Sequence, residues 1–350
     1  MSEDRKRTPY VRLGRSATLV SRLWLGTVNF SGRVEDADAS RLLSAALDRG
    51  INCVDMANIY GWRVHKGHTE ELVGRWLSKS GVRREDVLLA TKVGEDMSDR
   101  VNDGGLSARH IVAACEQSLR RLDVDHIDLY QMHRLDSAAP WDEIWQAMDR
   151  LVTSGKVCYV GSSNFAGWNI AAAQETAMRR NTMGLVSEQS IYNLAMRRAD
   201  AELIPAARAY GVGVFAWSPL HGGLLSGALR KLAEGTAVKS AQGRAQELLP
   251  DLRANIEAYE RFCERIGEHP AEVGLSWVLS RPGISGAVIG PRTLGQLDSA
   301  LRALDLHLGD EELAELDALF PVPGDAARPP MTGAGPADAA GRTATLLRRR

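Results

Sequence analysis

The sequence predicts an α/β protein built as a (β/α)8 TIM barrel, with an N-terminal β-hairpin as a plug and a flexible C-terminal tail. Three observations predict it. Short apolar or β-branched runs alternate with helix-period segments, there are eight such runs, and their ends recur at near-regular spacing. One residue at the end of each run gives Thr27, Asp55, Lys92, His133, Ser162, Gln189, Ser218 and Gly290, in steps of 28, 37, 41, 29, 27, 29 and 72 residues. A strand, a crossover helix and two loops need about 30 residues, so six steps each hold one βαβ unit. Eight units in one chain match a closed barrel of typical size plus insertions. An open doubly wound sheet is the competitor, but no G-x-G-x-x-G follows the first strand.

The elements follow in order. Residues 10–22 read as a hairpin, with Tyr10-Val11-Arg12-Leu13 and Thr18-Leu19-Val20 on either side of Gly14-Arg15-Ser16. Strands are expected at 24–26, 52–55, 87–91, 127–132, 157–161, 185–189, 212–217 and 287–290. Helices are expected at 37–48, 69–79, 107–122, 141–153, 168–179 and 200–209, with several more after residue 249. Ser107 and Pro140 stand at helix starts, and Gly50, Gly81, Gly155 and Gly211 where a C′ glycine belongs. The long last step holds residues 223–249, rich in Gly, Ala and charge, read as a lid over the site. The barrel is expected over 10–324, between a flexible N-terminus (1–9) and a disordered tail (325–350).

Composition narrows the function. Hydrophobic residues at 44% and charged residues at 25% supply an ordinary core. A net charge of −1 lacks the basic excess that nucleic acids or anionic membranes require. No run approaches about 18 apolar residues, and no apolar stretch follows the charged start, so neither a membrane span nor a secretory signal is expected. Cys53, Cys115, Cys158 and Cys263 are scattered and read as buried thiols of a cytoplasmic protein, with no metal site. Monomer and homo-oligomer fit equally well.

Barrel active sites lie at the C-terminal ends of the strands. Asp55, Lys92 and His133 end three consecutive strands, and Tyr60 lies five residues beyond Asp55, so all four are expected at one mouth. Each alone has a bland reading, as cap, surface amine, core imidazole or rim aromatic; their coincidence is the signal.

Here the sequence resembles the aldo-keto reductase superfamily. The resemblance rests on Asp55-Met56-Ala57-Asn58-Ile59-Tyr60-Gly61, Gly67-His68-Thr69-Glu70-Glu71-Leu72, Leu89-Ala90-Thr91-Lys92, Asp128-Leu129-Tyr130-Gln131-Met132-His133 and Gly161-Ser162-Ser163-Asn164-Phe165. It continues through Glu188-Gln189-Ser190-Ile191-Tyr192-Asn193, Trp217-Ser218-Pro219-Leu220 and Val288-Ile289-Gly290-Pro291-Arg292, in order from about residue 11 to 319. It implies NADPH-dependent reduction of aldehydes or ketones, reversibly, by a tetrad of Asp55, Tyr60, Lys92 and His133. The chemistry suits the residues. A carbonyl taking up a hydride needs a proton, and a free phenol with pKa near 10 gives one reluctantly. A lysine ammonium beside Tyr60 lowers that pKa, Asp55 holds the ammonium, and His133 can clamp the substrate oxygen.

The same resemblance implies that Ser163, Asn164 and Gln189 meet the nicotinamide carboxamide and that Trp217 stacks on its ring. The residue-level alternative for Trp217 is a core aromatic, since Phe215 shares its phase. Gly26 and Thr27 are expected at the cofactor, and Ser218, Leu220, Gly222 and Leu224 around its pyrophosphate. Gly290, Arg292 and Gln296, at the start of a helix read at 293–303, suit an adenosine 2′-phosphate and so favour NADPH over NADH. Ala300 replaces an Asn that relatives carry near the adenine. The substrate is expected against Asn29, Phe30, Trp62 and Arg134, with Trp141 nearby. Arg134 reads either as a selector for an acidic carbonyl substrate or as a solvated rim residue. A rival reading is a regulatory protein like the β subunits of voltage-gated potassium channels, which share the barrel and cofactor site. The complete tetrad and the short N-terminal segment argue for the enzyme. A phosphate-handling barrel isomerase would leave the tetrad unexplained.

Overall fold

The computed structural model describes residues 8–235 and 244–322. The expected flexible N-terminus falls largely, and the tail at 325–350 wholly, outside the described residues, as do 236–243 within the stretch read as a lid. In chain order the elements are β1 (Tyr10–Arg12), β2 (Leu19–Ser21), β3 (Leu23–Gly26), α1 (Asp36–Asp48), β4 (Cys53–Asp55), α2 (His68–Ser80), β5 (Leu88–Val93), α3 (Ala108–Leu122), β6 (Ile127–Met132) and α4 (Trp141–Thr153). They continue with β7 (Val157–Ser163), α5 (Gly167–Arg179), β8 (Leu185–Ile191), α6 (Leu203–Tyr210), β9 (Gly213–Trp217), α7 (Ala228–Ala233), α8 (Arg244–Ile266), α9 (Pro270–Ser280), β10 (Ile284–Ile289), α10 (Leu294–Arg302) and α11 (Asp310–Leu319).

Among the described residues the strands close into one barrel, in the order β10-β3-β4-β5-β6-β7-β8-β9, with parallel pairing throughout. Helix ends follow the local signals. Ser107 Oγ accepts from His110 N at 3.3 Å, Thr293 Oγ1 accepts from Gln296 N at 3.2 Å, and the four expected C′ glycines all take positive φ. Several strands run further than their apolar runs. β5, β7 and β8 keep the ladder through Lys92, Ser163 and Ser190, polar residues that resemble loop in sequence. β10 starts at Ile284 rather than residue 287, because Gly283 and Gly286 interrupt the apolar signal.

The hairpin β1-β2 closes the base of the barrel. Its Leu13 and Val20 join Trp24, Cys53, Leu129, Val186 and Phe215 in the interior cluster, where Trp24 and Phe215 stack at 3.8 Å between centroids. Gly14 at the hairpin tip has φ +54°, and a Cβ there would lie 2.0 Å from Val186 O, so only glycine seats the plug. A second core fills the space between strands and helices, with Trp145 Nε1 donating to Ala173 O at 2.9 Å. With its base sealed, the barrel is accessible at the C-terminal strand ends.

Two expectations change here. Cys53, Cys115 and Cys263 are buried, but Cys158 is exposed near the start of β7, where the base of the strand leaves the helical cover. The front of the lid stretch is packed: Leu224, Leu225 and Ala228 are buried, and Leu229 N donates to Glu260 Oε1 at 2.9 Å. No described helix is long and apolar enough to cross a membrane.

Candidate active site

Asp55, Lys92 and Gln189 meet inside the barrel because each stands on the inward phase of its strand. Lys92 Nζ donates to Asp55 Oδ1 (2.8 Å), Asp55 Oδ2 (2.6 Å) and Met56 O (2.8 Å), which fix the ammonium in place. Lys92 is 1% exposed. Asp55 Oδ1 also accepts from Gln189 Nε2 (2.8 Å) and Gln131 Nε2 (3.2 Å). Gln189, expected at the cofactor carboxamide, turns its amide nitrogen to the Asp55 carboxylate. Burial disfavours the Lys92 charge, but Asp55 and Tyr60 outweigh it and hold its pKa above the usual value.

Tyr60 sits in the β4–α2 loop, its ring centroid 5.1 Å from Lys92 Nζ and edge-on to His133 (5.7 Å) and Trp62 (6.1 Å). The turn after it requires glycine: Gly61 has φ +106°, and a Cβ there would meet His68 Cβ at 2.5 Å. Gly61 N donates to Ser31 Oγ at 2.8 Å, tying the loop to its neighbour. Sequence chemistry anticipated a lowered Tyr60 pKa. In the fold burial is the largest effect and raises it, with Lys92 pulling the other way. His133 is neutral, its pKa lowered to about 3 by burial first and Lys92 second. Its Nδ1 is buried without a hydrogen-bond partner among the described residues, 4.0 Å from Glu95 Oε1.

Beside these four residues, Asn164 links two other expected cofactor residues, Ser163 and Trp217, to His133. It donates to Ser163 Oγ (3.0 Å) and His133 O (3.0 Å), and accepts from Trp217 Nε1 (3.0 Å). Trp217 is half-buried at the mouth, whereas Phe215 below it is in the core, so the two aromatics of one phase have separated fates. Thr27 Oγ1 donates to Asp55 O at 3.0 Å, and a Cβ on Gly26 would meet Val288 at 2.8 Å, which fixes β3 against its neighbours. In the loop after β9, Ser218, His221, Gly222 and Gly223 all take positive φ. There Gly222 N donates to Ser218 Oγ (3.0 Å) and Leu224 N to His221 O (3.4 Å), so these two amides are engaged within the loop. Gln296 Oε1 accepts from Arg292 N at 2.7 Å, closing the turn before α10, and Asn29 Nδ2 donates to Gly290 O at 2.7 Å. Arg33 has a lowered pKa through burial and then the nearby charges of Arg63 and Arg292, so three guanidinium groups crowd this corner. A dinucleotide fits this set: amide and hydroxyl groups beside the tetrad, a half-exposed indole, and a cationic corner.

The substrate-side residues divide. Trp62 is 46% exposed and edge-on to Tyr60, as a wall residue should be. Phe30 is fully buried in the outer core, not on the wall, because the short turn at Val28–Phe30 folds its ring under the strand ends. Arg134 is exposed but ion-paired with Glu95, its Nε donating to Glu95 Oε1 at 2.8 Å. That carboxylate occupies the charge an acidic substrate would need, and Arg33 and Arg63 are the nearby cations with no carboxylate partner among the described residues.

Three residues escaped the sequence reading of roles. Gln131 shares the inward phase of His133, a signal available in β6. Asn58 is buried beside Tyr60 with neither amide atom partnered among the described residues. Glu188, facing away from Gln189, is fully buried and accepts from Ser162 Oγ, Ser190 Oγ (2.5 Å) and Phe165 N (3.1 Å), bracing the segment that carries Ser163 and Asn164. Burial pushes its carboxyl from 4.5 up to about 7 against those hydrogen bonds. A carboxyl with a raised folded pKa binds protons more tightly when folded, so its contribution to stability falls as pH rises between those two values. Glu188→Gln should therefore gain stability relative to wild type across that window, by on the order of 3 kcal/mol. Urea denaturation at several pH values measures it; a constant difference between the proteins would refute the assignment.

Fold and mouth together define a class, an eight-stranded barrel oxidoreductase whose buried, carboxylate-held lysine sits beside a phenol. The chain belongs to the aldo/keto reductase family, whose family model matches residues 22–320. It is 47% identical over 320 residues to an uncharacterized oxidoreductase, YrpG, of Bacillus subtilis (strain 168), covering 90% of this chain and 97% of that protein. It is 32% identical over 307 residues to a probable voltage-gated potassium channel subunit beta of Oryza sativa subsp. japonica, covering 85% and 91%. It is likewise 32% identical over 335 residues to versiconal hemiacetal acetate reductase of Aspergillus parasiticus, covering 88% and 96%.

Proposed function

We propose that this protein is an NADPH-dependent carbonyl reductase that converts aldehydes or ketones to alcohols, reversibly, with Tyr60 as general acid. The observation that carries the reading is the buried Asp55–Lys92 pair beneath Tyr60, with neutral His133 edge-on to the same ring. A bound nicotinamide would supply the hydride. Asn164 and Ser163 would hold its carboxamide, and Trp217 would lie against its ring. His133, uncharged, donates to the carbonyl oxygen and fixes its direction. Tyr60 gives that oxygen its proton, and Lys92 stabilises the phenolate left behind. Asp55 keeps Lys92 protonated and in place. Trp62 shields the reacting carbon from water.

Preference for NADPH rests on the cationic corner of Arg292, Arg33 and Arg63 at the start of α10. A charge-assisted bond is worth about 1.5–3 kcal/mol, so Arg292→Ala should weaken NADPH binding by at least about 10-fold and leave NADH binding nearly unchanged. Fluorescence titration with each cofactor tests this, and equal losses for both would remove the phosphate assignment. The named channel-subunit relative supports a second reading, a cofactor-binding regulatory protein. Tight NADPH binding without turnover of any reactive aldehyde would favour it.

A further inference from the structure

We infer that His65, His68 and Glu71 form a binding site for a divalent transition-metal ion of the zinc class at the rim of the barrel, with Asp36 as the outer partner that orients His68. One ligand-capable atom from each of the three lies within 4.8 Å of the others. The spacing His-x-x-His-x-x-Glu does not by itself produce this, since His65 precedes the helix. Gly67, with φ +94° at the start of α2, folds the loop back so that His65 O accepts from His68 N at 3.2 Å, bringing the loop imidazole over the first helical turn.

The donor chemistry selects the ion. Two imidazoles and one carboxylate suit zinc and its neighbours, with water completing the shell, whereas calcium and magnesium favour oxygen-only sets. His65 Nε2 lies 2.9 Å from Glu71 Oε2, and the two imidazole rings meet edge-on at 5.3 Å. His68 is nearly buried, with Nε2 2.9 Å from Asp36 Oδ1, the carboxylate partnership that fixes a metal-binding imidazole. His65 is 51% exposed and Glu71 36%, which leaves an entry path. Arg75 now balances the carboxylates, with Nη2 2.9 Å from Asp36 Oδ2 and Nη1 4.0 Å from Glu71 Oε2; at 48% exposure it can turn to water when a cation arrives. Asp36 and Glu71 also offset the positive end of α2.

The other cluster of this kind among the described residues is weaker. In His126, Asp128 and Cys158 the carboxylate is already committed to Arg84 (2.6 Å) and to Leu89 N (2.8 Å). Position gives the rim site its interest. Gly67 N and Thr69 N donate to Tyr60 O at 3.1 and 3.4 Å, and Trp62 lies in the same loop, so an ion held here fastens the segment leading out of Tyr60 to α2.

The test is calorimetric titration of zinc chloride into the full chain after chelator treatment and dialysis, which reads binding without reference to catalysis. Wild type should bind zinc saturably. His65→Ala and Glu71→Gln, both at exposed or half-exposed positions, should weaken binding by more than about 10-fold, and His126→Ala should leave it unchanged. Zinc should also raise the melting temperature of wild type and not of His65→Ala. Absence of saturable binding, equal affinity in wild type and both rim variants, or loss of binding in His126→Ala would each overturn the site.

Discussion

Replacing Tyr60 with Phe is expected to reduce turnover of a reactive aldehyde by about 10²- to 10⁴-fold, the range that a positioned general acid contributes. The ring contacts with Trp62 and His133 survive in the variant, since they are made by ring faces and edges. NADPH affinity should therefore stay near wild type, and the loss should appear in kcat more than in KM. Steady-state kinetics with cofactor titration in parallel separate these effects; an active Tyr60→Phe protein would end the role assigned to the phenol. The pH behaviour follows from the shifts. His133 stays neutral throughout the neutral range, so no imidazole titration should appear there. Burial keeps Tyr60 above its ordinary value, so the phenol retains its proton and reduction should hold steady through neutral pH. Alcohol oxidation needs the phenolate and should rise as pH climbs toward that value. Lys92→Met removes the pull that opposes burial and should push the oxidation profile further up the pH scale.

Asp55→Ala is expected to destabilise the fold by about 3–5 kcal/mol, because it leaves Lys92 as an uncompensated charge in the barrel interior. The same change removes the acceptor for Gln131 and Gln189, so the cost spreads over a shared network. Removing the charge as well should recover much of the loss. The double variant Asp55→Ala, Lys92→Met is predicted to be more stable than Asp55→Ala alone, in a cycle measured by urea denaturation. Additive losses in the double variant would show that the pair is not the source of the penalty. The sign with pH is set by Lys92. Its folded pKa is raised, so the pair's contribution is complete below the ordinary lysine value and is lost as pH rises through the elevated one.

Much of the barrel was legible because strand and helix periods are local properties of the chain. The spacing of Thr27, Asp55, Lys92, His133, Ser162, Gln189 and Ser218 marks one unit after another, and α4 runs over the residues its pattern predicts. The grouping of Asp55, Lys92 and His133 was legible for the same reason: a strand-end position in a barrel fixes which mouth a residue faces, and Tyr60 follows from the short loop that leaves Asp55. Boundaries were less legible where a polar residue stays in the ladder, as at Ser163, or where glycine breaks an apolar run, as at Gly286.

By itself the sequence determined the number and order of the βα units, the hairpin ahead of them and the four residues brought to one mouth. Only the tertiary structure decided what each side chain does there. Gln189 turns to Asp55, Arg134 is neutralised by Glu95, Phe30 goes under the strands, and Tyr60 has its acidity set by burial more than by Lys92. The reason is physical. Periodicity is written in neighbouring residues, whereas partner choice and desolvation depend on groups far apart in the chain, such as Asp55 and Gln189, that meet only once the barrel has closed.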